Sequence, residues 1–256
     1  MINKRIIFSL LYSNGFFFLS RNFRLQKIGD LNWLEKNYSF HETCEYIDEL
    51  TFILVTKNPD EKEINNFFKD IAILREKIFA PIMIGGSIRN INDVKNCFEN
   101  GADKILINTE SRNENFINEI SKIYGNQAIT VMLDYKGKNN NVFTESGTKD
   151  INLTIDKILQ KIKDYNFGEI ILHSIDKDGT GNGFDLNLIN KIKYLPNKPV
   201  LLMGGAGKPE HIVEALKNNK VSGAVTANLL NFIGDGLKFT RNLAIKNKIK
   251  IAVLNQ

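Results

Sequence analysis

A half-length repeat runs through this chain, and it constrains the fold more tightly than any single motif. Pro81-Ile-Met-Ile-Gly85-Gly86 returns as Pro199-Val-Leu-Leu-Met-Gly204-Gly205, with the first glycines at 85 and 204, an offset of 119. Ile-Leu-Ile-Asn108 matches Ala-Val-Thr-Ala227 at the same offset. Asp48-Glu49-Leu50 matches Gly168-Glu169-Ile170 at 120, and Leu10-Leu11-Tyr12 matches Leu133-Asp134-Tyr135 at 123. A period this long means a duplicated half-structure, not a short solenoid unit. It also pairs positions that can be compared directly: Asp134 in one half stands opposite Leu11 in the other.

Short apolar runs alternate with longer segments of helical period. Strands are expected at 5–11, 50–56, 81–85, 104–108, 128–134, 169–174, 199–204 and 223–227, where turn residues and β-branched side chains bound each run. Residues 91–100 carry Ile91, Val94, Cys97 and Phe98 on one helical face, and residues 155–165 carry Ile155, Ile158, Leu159 and Ile162. Eight strands alternating with helices point to a (β/α)8 TIM barrel in one domain, 1–256, built from halves of about 1–122 and 123–256. A doubly wound open sheet would leave the duplication without a reason.

Composition excludes several classes. The chain is 43% hydrophobic and 25% charged, an ordinary globular balance, and 256 residues bury a core without disulfide or metal staples. Cys44 and Cys97 have no CxxC spacing, which fits a reduced, cytoplasmic protein. The net charge of +5 is dispersed, with no basic arm for nucleic acid; anionic small molecules suit it better. No apolar run approaches the roughly 20 residues of a membrane helix. Lys4-Arg5 followed by Ile-Ile-Phe-Ser-Leu-Leu superficially resembles a leader, but the run breaks at Ser13-Asn14-Gly15 and reads as a buried strand. His41, His173 and His211 form no ligand pair, so no metal and no cofactor are expected; His173 is expected simply to pack beside strand six.

Both Gly-Gly turns end a strand and lead into a helix, where backbone amides bind phosphate. The loops after strands seven and eight are the usual phosphate site of a barrel, and the repeat implies a second behind strands three and four. Gly204, Gly205, Ala227 and Asn228 form the first set; Gly85, Gly86, Asn108 and Thr109 form the second. The glycines alternatively serve only as tight turns. Asp178, Gly179 and Thr180 after strand six bind substrate phosphate or make a plain turn. Asp134, ending strand five, is a general acid/base candidate or a helix cap. The long loop from Tyr12 to Asp30, with Phe16-Phe17-Phe18, is either a lid over the strand C-termini or a hairpin packed on the rim.

Together these motifs resemble a known family. Lys4-Arg5-Ile6-Ile7, Ile28-Gly29-Asp30, Gly85-Gly86-Ser87-Ile88-Arg89, Gly101-Ala102-Asp103-Lys104, Ile107-Asn108, Val142-Phe143-Thr144, Ser174-Ile-Asp-Lys-Asp-Gly-Thr180, Phe184-Asp185 and Gly204-Gly205-Ala206-Gly207 are similar to the cyclase subunit of imidazole glycerol phosphate synthase, HisF. The resemblance implies a lyase that takes ammonia from a HisH-type glutaminase docked at the strand N-termini. The ammonia passes up the barrel to a bisphosphorylated ribulosyl substrate. It implies a charged gate at Arg5, Glu49, Lys104 and Glu169, and a glutaminase contact at Asp103. Two departures accompany it. The family's acid/base aspartate ending strand one falls at Leu11, and another ending strand two falls at Leu54; leucine transfers no proton. An altered mouth above a retained gate resembles family paralogues that supply ammonia for amidinating a surface-polysaccharide sugar. A working cyclase, such a paralogue and a non-catalytic glutaminase scaffold are the three readings.

Overall fold

The computed structural model describes residues 3–76 and 78–252. Its twelve strands run in chain order as β1 (Arg5–Ser13), β2 (Phe16–Arg21), β3 (Arg24–Gly29), β4 (Glu49–Leu54), β5 (Ile82–Gly85), β6 (Lys104–Ile107), β7 (Ile129–Lys136), β8 (Asn141–Thr144), β9 (Lys149–Thr154), β10 (Glu169–Ser174), β11 (Val200–Met203) and β12 (Gly223–Thr226). Eight of them, β1, β4, β5, β6, β7, β10, β11 and β12, pair in parallel and close on themselves through β1–β12. The fold is the expected (β/α)8 barrel.

Helices fill the connections and lie outside the barrel. Their starts follow the sequence: Asp60 accepts from the Glu63 amide to cap the helix Glu61–Arg75, and Asn90 with Asp93 forms a capping box on the helix Ile91–Glu99. The apolar face of the helix Ile155–Ile162 buries Ile155, Ile158, Leu159 and Ile162, as its period requires.

Strand alternation sorts the core into two shells. Ile6, Phe8, Leu10 and Tyr12 of β1 pack outward against the helices. Ile7 and Leu11 point inward, joining Ile53, Met83, Leu106, Met132, Ile171, Leu201, Met203 and Val225 in the barrel interior. The same alternation turns Ser9 and Thr51 inward, and both hydroxyls are buried without a hydrogen-bond partner.

The long segment after β1 is a hairpin on the rim, β2 with β3, in which Leu11 pairs with Phe18. A second hairpin, β8 with β9, follows β7, and there Asp134 pairs with Phe143. The two hairpins occupy equivalent places in the repeat, and Leu11 and Asp134 hold the same position within them. The neighbouring strands agree: Leu11 lies beside Ile53, and Asp134 beside His173. Among the described residues, no helix is long and apolar enough to cross a membrane.

Candidate active site

At the strand N-termini, four charges close the barrel. Arg5 Nη1 contacts Glu49 Oε2 at 2.9 Å, and its other terminal nitrogen contacts Glu169. Lys104 Nζ lies 2.8 Å from Glu49 Oε2 and 2.9 Å from Glu169 Oε1. Cations and carboxylates alternate around the ring, so each carboxylate touches both cations. Burial works against charge on Glu169, but Arg5 and Lys104 outweigh it and hold the carboxyl below its ordinary range. Burial dominates at Glu49, and the Glu169 charge adds to it, so its carboxyl is pushed up despite the same two cations. Above the ring the passage is lined by Ile7, Met83, Ile171, Leu201 and Val225, with the hydroxyls of Ser9 and Thr51 among them.

At the strand C-termini, a cavity of about 690 Å³ opens. Leu11, Ile53, Leu106, Met132 and Met203 form its floor, and Gly86, Ser87, Arg89, Asn108 and Thr109 line one side. A smaller adjoining pocket is lined by Gly204, Gly205, Ala227, Asn228, Asp178 and Gly179. The expected phosphate residues otherwise gather at two places on the mouth, but Gly85 and Thr180 lie outside both linings; the Thr180 hydroxyl donates to the Lys177 carbonyl at 2.8 Å. Gly86 and Gly205 sit at φ +93° and +110°. A Cβ on Gly86 would lie 2.0 Å from the Leu54 carbonyl, and one on Gly205 would lie 2.1 Å from the Gly183 carbonyl. Both positions therefore require glycine for the turn itself, packed against the protein's own backbone.

Asp134 stands at the mouth, 3% exposed, with both oxygens engaged. Asn108 Nδ2 donates to Oδ2 at 3.0 Å, and His173 Nδ1 lies 3.1 Å from Oδ1. Asn108 therefore directs its amide to Asp134. Asp178 is also occupied: Ser20 Oγ donates to it at 2.5 Å and the Phe23 amide at 3.1 Å, both from the β2–β3 hairpin. Its carboxylate faces the hairpin and His173, so its share in any phosphate pocket is through the backbone. Burial opposes its ionisation, but His173, Ser20 and the Phe23 amide hold it below the usual range.

The profile of the family described as Histidine biosynthesis protein matches residues 37–234. A Parasynechococcus marenigrum relative, named provisionally as imidazole glycerol phosphate synthase subunit hisF2, is 43% identical over 247 residues, covering 95% of this chain and 91% of that protein. The imidazole glycerol phosphate synthase subunit HisF of Methanocaldococcus jannaschii is 33% identical over 256 residues, covering 91% and 92%. That of Sulfurisphaera tokodaii is 38% identical over 222 residues, covering 85% and 86%. The chain belongs to the HisF family.

Against that family's pattern, Leu11 faces the lumen where an aspartate was sought. Leu54, at the other departure, packs outward in the helix-facing core and only edges the cavity; Ile53 is the inward side chain of that strand. Asp103 is exposed at the opposite face, where one of its oxygens accepts the Ile82 amide at 2.8 Å. Sequence reasoning passed over His173. The signal was present: Glu169, Ile171 and His173 alternate on one strand, so a lumen-facing Glu169 places His173 in the lumen four residues higher. It also passed over Ser20 and Phe23, which the hairpin carries across the mouth.

Proposed function

We propose that this chain is the cytoplasmic, ammonia-using subunit of a glutamine-dependent synthase. A HisH-type glutaminase docks on the strand N-termini near Asp103 and releases ammonia below the ring of Arg5, Glu49, Lys104 and Glu169. Neutral ammonia crosses the apolar lumen, which an ammonium ion would enter only at a large desolvation cost. At the mouth it meets a phosphorylated substrate held by the two groups of glycine turns. By its relatives' names, the reaction is that of imidazole glycerol phosphate synthase: the bisphosphorylated ribulosyl aminoimidazole carboxamide is converted to imidazole glycerol phosphate and the aminoimidazole carboxamide ribotide. The observation that carries this reading is a charged ring and Asp134 at opposite ends of one apolar passage.

Leu11 favours a second reading. The wall across from Asp134 offers hydrocarbon from Leu11 and Ile53 where an acid/base pair would need a second carboxylate, and losing one such group costs about 10²–10⁴ in rate. On this reading the chain is a paralogue delivering ammonia to another acceptor, a polysaccharide sugar being amidinated. Purified protein given the bisphosphate substrate with an ammonium salt separates the two, because the glutaminase is bypassed. Turnover near that of the HisF relatives supports the cyclase and sinks the paralogue. Tight binding without turnover does the reverse.

A further inference from the structure

His173 is the second acid/base candidate of the mouth. It projects from β10 between two carboxylates on different elements. Its Nδ1 is 3.1 Å from Asp134 Oδ1 on β7, and its Nε2 is 3.8 Å from Asp178 Oδ1 in the turn after β10. The second separation exceeds a hydrogen bond, and Nε2 is a buried nitrogen without a partner. The Phe23 ring of the hairpin leans on the imidazole with centroids 5.0 Å apart, and the residue lines the large cavity. A buried ring nitrogen left unpaired beside a ligand-sized cavity is a group kept available for something that binds there.

We propose that His173 is a catalytic acid, donating its Nε2 proton to the carbonyl oxygen of the carbon that ammonia attacks, while Asp134 takes a proton from the incoming nitrogen. The proposal rests on the ammonia-using reading above, but not on which acceptor is correct. In both readings the nitrogen lone pair forms a bond to a carbon bearing oxygen. The nitrogen then carries an extra proton and passes it to Asp134. That carbon is a carbonyl carbon, so the C=O π pair moves onto oxygen, which takes the His173 proton and becomes a hydroxyl group. His173 returns to its starting state by recovering the proton from Asp134 through the Nδ1 contact, after a shift of tautomer. The site thus has two proton-transfer groups although Leu11 occupies the place of one.

The charge state suits the role. Full burial opposes protonation of the ring, but Asp134 and Asp178 outweigh it and raise its pKa to about 9. These are the two ionisable groups acting on it; Ser20 and the Phe23 amide act on Asp178, and a Cβ on Gly204 of the next strand's turn would come within 3.3 Å of the ring's Cδ2. The imidazolium is therefore the resting form at neutral pH.

The test compares wild type with His173→Gln and His173→Asn, using the ribulosyl bisphosphate as probe and holding free ammonia, not total ammonium, constant across pH 6.5–9.5. The expected result is a kcat lower by about 10²-fold or more with KM and calorimetric binding within threefold, and loss of the wild-type fall in kcat above about pH 8.5. Variants that bind and turn over within threefold of wild type, with the same profile, overturn the proposal and leave the ammonia reading standing. If wild type itself does not turn this probe over, the cyclase reading fails, and the ¹⁵N resonances of the His173 ring decide the inference instead. A ring charged at pH 7 in wild type and neutral in Asp134→Asn supports it; a ring neutral at pH 7 in wild type overturns it. That measurement also decides the matter if the variants fold poorly.

Discussion

Replacing Lys104 with methionine removes one of the two cations that hold the barrel's lower ring together. In the native ring, Arg5 and Lys104 balance Glu49 and Glu169, whose side chains are only 2% and 6% exposed. Stripping a partner from a buried pair costs about 3–5 kcal/mol, because the remaining charge is left desolvated. Arg5 stays in contact with both carboxylates, and Lys104 is itself 19% exposed, so the lower end, about 3 kcal/mol, is expected at pH 8. In a chain of this size, that lowers Tm by about 6–12 °C. The loss depends on pH in a definite direction. Burial already pushes the Glu49 carboxyl up, and without Lys104 it rises further, so as pH falls the folded variant takes up a proton sooner than wild type does. Stability of the variant relative to wild type therefore rises as pH falls from 8 towards 6. Denaturant unfolding at both pH values measures this, and Glu49→Gln added to Lys104→Met should recover more than half of the loss. A loss under about 1 kcal/mol at pH 8, or an identical loss at both pH values, would refute an interlocked ring and leave two ordinary surface pairs.

Other outcomes follow from the same geometry. Ser87→Asp places a carboxylate on the cavity wall at φ +54°, a conformation aspartate tolerates, and should weaken inorganic phosphate binding about tenfold by calorimetry without changing Tm. His173 titrates at about 9 when folded against an ordinary 6.5, so its contribution is fully present below pH 6.5 and is lost as pH rises through 9. Wild type should therefore lose up to about 3 kcal/mol between pH 6.5 and 10 that His173→Gln does not lose. Burial pushes the Cys44 and Cys97 thiols up to about 12, so a thiol reagent at pH 8 should modify them only as fast as the protein unfolds, read by mass spectrometry.

All eight barrel strands were legible because buried parallel strands are short apolar runs bounded by turns, and each expected span meets the observed one within a few residues. The ring was legible through its motif resemblance, and alternation along β4 and β10 explains how Glu49 and Glu169 come to share one layer. The loop after β1 was legible only as a choice between a lid and a rim hairpin: Phe16-Phe17-Phe18 carries no period-two signal, since Phe17 is buried against Tyr12 while Phe16 stacks under Lys27 and Phe18 leans on the lumen cluster. Asp178 was read as a phosphate residue because its neighbours are glycine and threonine. Its partners, Ser20 and the Phe23 amide, come from 158 and 155 residues away.

The sequence by itself determined the barrel, the pairing of Leu11 with Asp134 and the two repeated glycine turns, because each is written in local period or in the repeat. Only the tertiary structure decided what surrounds Asp134. Its contact with His173 joins residues 39 apart on neighbouring strands, and the hairpin that anchors Asp178 must cross the mouth to reach it. Local propensity gives a side chain's face, but the partner it meets there is set by barrel closure, which brings distant strand ends to one rim. The repeat locates the missing acid at Leu11; the fold places a buried imidazole against the acid that remains, its other nitrogen left without a hydrogen bond.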